Sequence, residues 1–149
     1  MIIVLDSGPL GQLCNPTRRG PSKDAWEWAR AHAAEGNQLV VPEIADYEVR
    51  RELIRSGRAA AIERLDALCA GLGYSRLSTA IMHDAASLWA EARNRGFPTA
   101  HDAALDGDVL LAAQARRLAA AAPAESVIVA TTNVAHLERL AEARFWAKI

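Results

Sequence analysis

The sequence predicts an α/β protein of three layers, with helices on both faces of a mainly parallel sheet. Three observations carry this. Short apolar runs without alternation stand at 2–5, 38–41 and 126–130, the pattern of strands buried on both faces. The stretches between them place apolar residues at helical spacing. Alanine runs at 59–61 and 119–122 supply strong helix formers. The alternation of strands with helices then favours parallel pairing through crossovers. With 149 residues, 51% hydrophobic and 23% charged, the chain has the material for one domain over 1–149 and lacks the composition of a disordered protein.

Each element has its own signals. The first strand, Ile2–Leu5, is stopped by Asp6, Ser7, Gly8 and Pro9. Residues 11–21 are polar and rich in breakers, so they read as a loop or a frayed turn. Ser22 and Asp24 start a helix carrying Trp26, Ala29 and Ala33, ended by Gly36, and 38–41 is the second strand. Pro42 suits the first turn of a helix whose apolar face is Ile44, Tyr47 and Ile54. Residues 57–71 give a further helix with Ile62, Leu65, Cys69 and Leu72 at helical spacing, followed by a small strand at 74–77. Ser78 or Thr79 caps a helix with Ile81, Ala85, Leu88 and Ala92 inward, closed by Gly96. A loop over 97–107, holding Pro98, His101, Asp102 and Asp106, leads to a helix opened by Asp108 and running over 109–121. A strand at 126–130, a helix at 134–143 and an apolar tail at 145–149, read as a last strand or a lid, complete the chain.

Several classes lose weight on composition. No run approaches the roughly 20 apolar residues of a membrane span, and the start shows neither a basic leader nor a cleavage site. Cys14 and Cys69 stand far apart, against a disulfide framework or a zinc site. The expected setting is soluble and cytoplasmic. A net charge of −1 argues against a non-specific nucleic-acid binder, although carboxylates gathered in one site with a local basic rim would also sum to near neutrality.

Ligands of parallel sheets bind at the carboxyl ends of strands, so the polar residues just after each strand are the candidates. Asp6 follows the first strand directly; an Asx-turn to Gly8 explains it as well as a site does. Glu48 lies one turn after Ile44, on or beside the face toward the sheet, where a pairing with Arg51 is the plain alternative. Glu43 and Glu52 read as solvent-facing. Asp108, between Gly107 and an apolar run, suits a helix N-cap. Thr131, Thr132 and Asn133 follow the last apolar strand, and Asn133 suits the cap of the next helix. Each has a separate structural explanation; one acidic site accounts for all of them together. Clustered carboxylates repel, so such a site demands a cation or protonation. All-oxygen ligands favour Mg2+ or Mn2+ over zinc.

The segments Val4-Leu5-Asp6-Ser7, Val41-Pro42 with Tyr47-Glu48-Val49, the run from Asp108 to Ala115, and Val129-Ala130-Thr131-Thr132-Asn133 resemble, in this order, the four signature segments of the PIN-domain family. The resemblance covers essentially the whole chain and is nearest to the VapC-like ribonuclease toxins of type II toxin–antitoxin systems. It implies a PIN-like α/β/α fold, with Asp6, Glu48 and Asp108 as an acidic catalytic triad that holds the metal. Asn133 stands where the family carries a fourth Asp or Asn, and Thr131 matches an accompanying Thr or Ser. The chain departs from the pattern at His136, where many relatives carry an aspartate; Asp106 is the compensating candidate and Asp102 a weaker one. The resemblance further implies cleavage of RNA, a cognate antitoxin partner and a homodimer, with no membrane association.

Arg50, Arg51, Arg55 and Arg58 form one basic stretch, and Arg18, Arg19 and Lys23 another; either suits a phosphate backbone, though a solvated helix face explains any single arginine. Trp26, Trp28, Trp89 and Trp146 read as core or interface residues, and 5% aromatics does not favour a base-stacking surface. His32, His83 and His101 show no ligand spacing. The alternative function is a catalytically weakened PIN-like module that binds RNA or protein. An aspartate-based phosphatase ranks last, because Ser-Gly-Pro-Leu after Asp6 lacks the required second Asp and Thr. A Rossmann nucleotide site is disfavoured, since no Gly-x-Gly-x-x-Gly follows the first strand.

Overall fold

Residues of β1, Ile2–Leu5, alternate between two cores. Ile2 and Val4 enter one, Ile3 and Leu5 the other, and all four are buried. A strand apolar on both sides belongs at the centre of a covered sheet. The structure is a computed structural model that describes residues 1–17, 19–97 and 106–149. The expected loop positions 98–105, with the weaker candidate Asp102, and Arg18 of the early basic group lie outside the described residues.

The elements after β1 are α1 (Ser7–Cys14), α2 (Pro21–Ala34), β2 (Gln38–Pro42), α3 (Glu43–Arg55), α4 (Ala59–Gly71), β3 (Gly73–Ser75) and α5 (Thr79–Asn94). Next come α6 (Gly107–Ala121), β4 (Val127–Thr131), α7 (Val134–Leu137), β5 (Ala143–Phe145) and a 3-10 turn at Trp146–Lys148. The five strands pair parallel throughout, in the order β3-β2-β1-β4-β5. The chain therefore builds outward from β1 to β3, then returns to place β4 on the other side of β1. This reversal makes the β1/β4 boundary a topological switch point, where crossovers on opposite faces leave a crevice at the strands' carboxyl ends.

Helices cover both faces. On one, Ile81, Ala85, Leu88 and Ala92 of α5 meet Val109, Leu110, Ala112 and Ala113 of α6; the small side chains let these two helices approach closely. On the other, Leu10, Leu13 and Cys14 of α1 pack with Ala25, Ala29, Val49, Leu53 and Leu65 from α2, α3 and α4. Gln114 is buried within the first core and donates to the Ser75 carbonyl at 2.5 Å, tying α6 to the edge strand β3. Among the described residues no helix is long and apolar enough to cross a membrane.

Five local expectations are corrected. Part of the expected loop over 11–21 is helix: α1 starts at Ser7, with Asp6 accepting from the Ser7 amide as N-cap. Pro9 falls in its first turn, where no amide is missed, and Leu10, Leu13 and Cys14 bury one face. The buried stripe of α3 is Ile44, Ala45, Val49 and Leu53, whereas Tyr47 and Ile54 are 52% and 62% exposed. Asp106, not Asp108, caps α6, its Oδ1 accepting from the amides of Asp108 and Val109. The expected helix over 134–143 stops after α7, because 143–145 is taken up as β5 against β4. Glu43 is half-buried rather than solvent-facing and accepts from the Leu77 amide at 2.5 Å.

Candidate active site

Sheet register decides which side chains meet at the switch point. Leu5 pairs with Ala130, so the next residues, Asp6 and Thr131, leave their strands side by side. The Asp6 amide continues the ladder to the Ala130 carbonyl at 3.0 Å. The Thr131 hydroxyl donates to Asp6 Oδ2 at 2.6 Å, and its oxygen accepts from the Asn133 amide at 2.8 Å. Because the Asn133 N–H occupies a lone pair of Oγ1, the hydroxyl proton is directed at Asp6. Asn133 thus reaches the site through its backbone; it occupies the N-cap position of α7 without a side-chain cap bond.

Asp6 Oδ1 accepts from the Ser7 amide at 2.6 Å and lies 3.3 Å from the Ser7 hydroxyl. Ser7 also lies near Glu48 and acts to lower its carboxyl pKa. Burial holds the Glu48 carboxyl above the usual carboxylate range; Ser7 opposes this, Asp6 and Asp108 add to it, and Arg51 opposes it. Arg51 acts on Glu48 only through its charge, and burial outweighs it.

Asp108 projects from the first turn of α6, freed for the site because Asp106 does the capping. Its carboxyl is also raised, first by burial, then by Asp106 and Asp6, against the lowering effect of His136. His136 Nδ1 stands 3.4 Å from Asp108 Oδ2. Position 136, where the resemblance places a carboxylate, thus supplies a cationic neighbour when protonated. Gly107 explains how Glu48 comes near α6: a β-carbon there would collide with the Glu48 carboxylate oxygen. Gly8 serves α1 in the same way, since a β-carbon would stand 2.6 Å from Thr132 Oγ1.

All six sequence candidates in the described residues fall in this region. Asp6, Glu48 and Asp108 are coupled electrostatically, Thr131 and Asn133 orient Asp6, and Asp106 serves as a cap beside Asp108. Sequence reasoning missed Ser7, Gly107 and the Asp108 partner His136. Only Ser7 carried a signal, its place directly after Asp6 at a strand exit. Cys14 and Cys69 are free thiols whose pKa values burial pushes up to about 12 and about 11, which removes them from nucleophilic chemistry.

The donor set is suited to a hard divalent cation: three carboxylates, two of them partly buried and raised by their neighbours. Among the described residues no group of three His, Cys, Asp or Glu side chains stands close enough together to hold a metal ion as placed. Ser7 is hydrogen-bonded to Asp6, while Asp108 is engaged by His136. The arrangement is a set of repelling acids held as neighbours, the charge pattern that a cation relieves.

No family model matches the chain, and no curated protein matches it in sequence. Solved structures do match. A chain of the Rickettsia felis VapBC2 complex, determined bound to a DNA fragment from its promoter, superposes with a TM-score of 0.68 at 18% identity, over 97% of this chain and 98% of that one. A chain of VapBC-1 from nontypeable Haemophilus influenzae superposes with a TM-score of 0.68 at 16% identity, over 98% of each. The protein shares its fold with these chains of VapBC structures, in line with the PIN-like α/β/α fold that the resemblance of its four segments implied.

Proposed function

We propose that the protein is a VapC-like endoribonuclease that hydrolyses RNA phosphodiester bonds with Mg2+ or Mn2+ bound at Asp6, Glu48 and Asp108. The observation that carries the reading is the convergence of these carboxylates at the β1/β4 switch point, with Glu48 and Asp108 both raised in pKa by burial and acidic neighbours. A divalent ion in such a setting lowers the pKa of water and neutralises charge on the phosphodiester.

The chain's own groups have definite tasks. Thr131, aligned by the Asn133 amide, fixes one oxygen of Asp6, and the Ser7 amide fixes the other. Glu48, within electrostatic reach of Asp6 and Asp108, completes the set of carboxylates that would hold the ion. His136 orients Asp108. The amino ends of α1 and α6 lie at the site through Asp6 and Asp108, and the positive ends of their helix dipoles face it. In this reading the protein acts in the cytoplasm as a homodimer held in check by a cognate antitoxin; the VapBC neighbours, being toxin–antitoxin complexes, support that partner.

A second reading, a module that binds RNA or protein without cutting, draws on His136 in place of a further carboxylate. Metal-supplemented RNA cleavage separates the two. Wild type is expected to cut with Mg2+ or Mn2+ and not with EDTA, and Asp6→Asn and Asp108→Asn to lose the activity. Cleavage that survives both substitutions would refute the site, and no cleavage by pure wild type would favour the binding module.

A further inference from the structure

Beside Asp108 the surface opens into a second feature that the acidic centre does not use. A cavity of about 480 Å3 lies between α5, α6 and α7. Its floor is apolar, from Leu88, Ala92 and Leu140. Its rim is cationic: Arg116 and Arg139 line it, and Arg95 does so with its charge offset by Glu91 at 2.6 Å. Arg116 is anchored through Nε to the Leu140 carbonyl at 2.6 Å, which fixes the guanidinium while leaving it exposed. Phe97 also lines the cavity, 44% exposed, with the Arg139 guanidinium 4.3 Å over its ring. His136 belongs to both places, lining the cavity and standing 3.4 Å from Asp108.

We propose that this cavity is a nucleotide subsite for single-stranded RNA, taking a base on the Phe97–Arg139 pair and the adjoining phosphate on Arg139 and Arg116. The proposal rests on the ribonuclease reading for its choice of ligand. The volume falls in the range of about 300–1,000 Å3 typical of small-molecule pockets. An exposed aromatic ring bearing a guanidinium is a stacking surface for a base of any sequence. A purely apolar partner would leave the arginine rim without counter-charge, whereas a phosphodiester supplies it. Contact with His136 sets the subsite next to the acidic centre, so a nucleotide held here lies beside the bond to be cut.

The test uses the full chain and a fluorescein-labelled, mixed-sequence, single-stranded hexaribonucleotide. Binding is read by anisotropy in EDTA, and cleavage separately in Mn2+. Phe97→Ala is expected to weaken binding about 10-fold, and Phe97→Trp to restore it. Arg139→Ala is expected to weaken binding and to lower the slope of log K against log salt by about 0.7, the share of one phosphate on a single strand. Arg117→Ala, whose side chain pairs with Asp84 and does not line the cavity, is expected to bind as wild type. Thermal melting checks that each variant is folded. If wild type cuts RNA and the Phe97 and Arg139 variants bind and cut as it does, the subsite is overturned while the ribonuclease reading stands. If wild type does not cut but these substitutions still weaken binding, the subsite stands and the ribonuclease reading falls.

Discussion

Thr131 donates its hydroxyl to Asp6 Oδ2 at 2.6 Å, joining the carboxyl ends of the two strands that flank the sheet's switch point. The contact follows from register alone: Leu5 opposite Ala130 leaves these two side chains as neighbours.

Thr131 is fully buried, so its replacement by valine keeps the volume but leaves the Asn133 amide and an Asp6 oxygen without their partner. A buried polar group left unsatisfied costs about 1–3 kcal/mol. Thr131→Val is expected to lower stability by that order and cleavage by at least about tenfold, since Asp6 loses its alignment. Thr131→Ser should retain most of both. Urea denaturation and cleavage rates on the pair of variants check this.

The acidic centre should be a source of instability at neutral pH. Glu48 and Asp108 have raised carboxyl pKa values in the folded protein, burial first among the causes, so the folded state binds their protons more tightly than the unfolded state. Their contribution is favourable at low pH, where both states are protonated at these groups. It is lost as pH rises through the folded pKa values, which lie above the ordinary carboxylate values. Asp108→Asn in metal-free buffer is therefore expected to be more stable than wild type at pH 7, by about 0.5–2 kcal/mol, with the difference shrinking toward pH 4. Urea titrations across that pH range read the sign. Added Mg2+ should raise the melting temperature of wild type and leave that of Asp108→Asn nearly unchanged.

Gly107→Ala separates fold from chemistry. Alanine is a better helix former than glycine, and the obstruction it meets is the end of a flexible side chain, Glu48. The expected result is a melting temperature within a few degrees of wild type, about the effect of 1 kcal/mol, with cleavage reduced at least about tenfold because Glu48 is pushed from its place. A stable, fully active Gly107→Ala protein would show that Glu48 does not need to approach α6.

Asp106 and Asp108 should respond differently to substitution. Asp106→Ala removes the cap of α6 and is expected to cost about 1 kcal/mol, whereas Asp108→Asn is expected to stabilise while abolishing cleavage. Chemical denaturation of both variants side by side checks the division of labour.

Much of the fold and of the acidic centre is legible in the residues because it depends on local patterns. Ile2–Leu5 and 127–130 stand out as unbroken apolar runs, and a parallel sheet directs attention to the residues at their exits, Asp6 and Thr131 with Asn133. Local patterns mislead where tertiary contacts override them. Gly8, Pro9 and Gly11 disguise α1, which is held by the burial of Leu10, Leu13 and Cys14. Residues 134–143 are helix-favouring, yet pairing with β4 captures the chain from Ala143 onward. On α3 the larger Tyr47 and Ile54 draw the expected apolar face away from the true stripe, which includes the small Ala45. Within the site, Gly107 and His136 acquire meaning only when α3, α6 and α7 meet, which no spacing along the chain encodes.

The central claim is that Asp6, Glu48 and Asp108 together hold one divalent cation. Anomalous diffraction from crystals soaked in Mn2+ tests it most directly. The account predicts a peak within direct coordination distance of Asp6 and Asp108, with Glu48 bound directly or through one water, and loss of that peak in Asp108→Asn crystals. A saturating Mn2+ soak that places the ion elsewhere, or leaves these carboxylates without one, would contradict it.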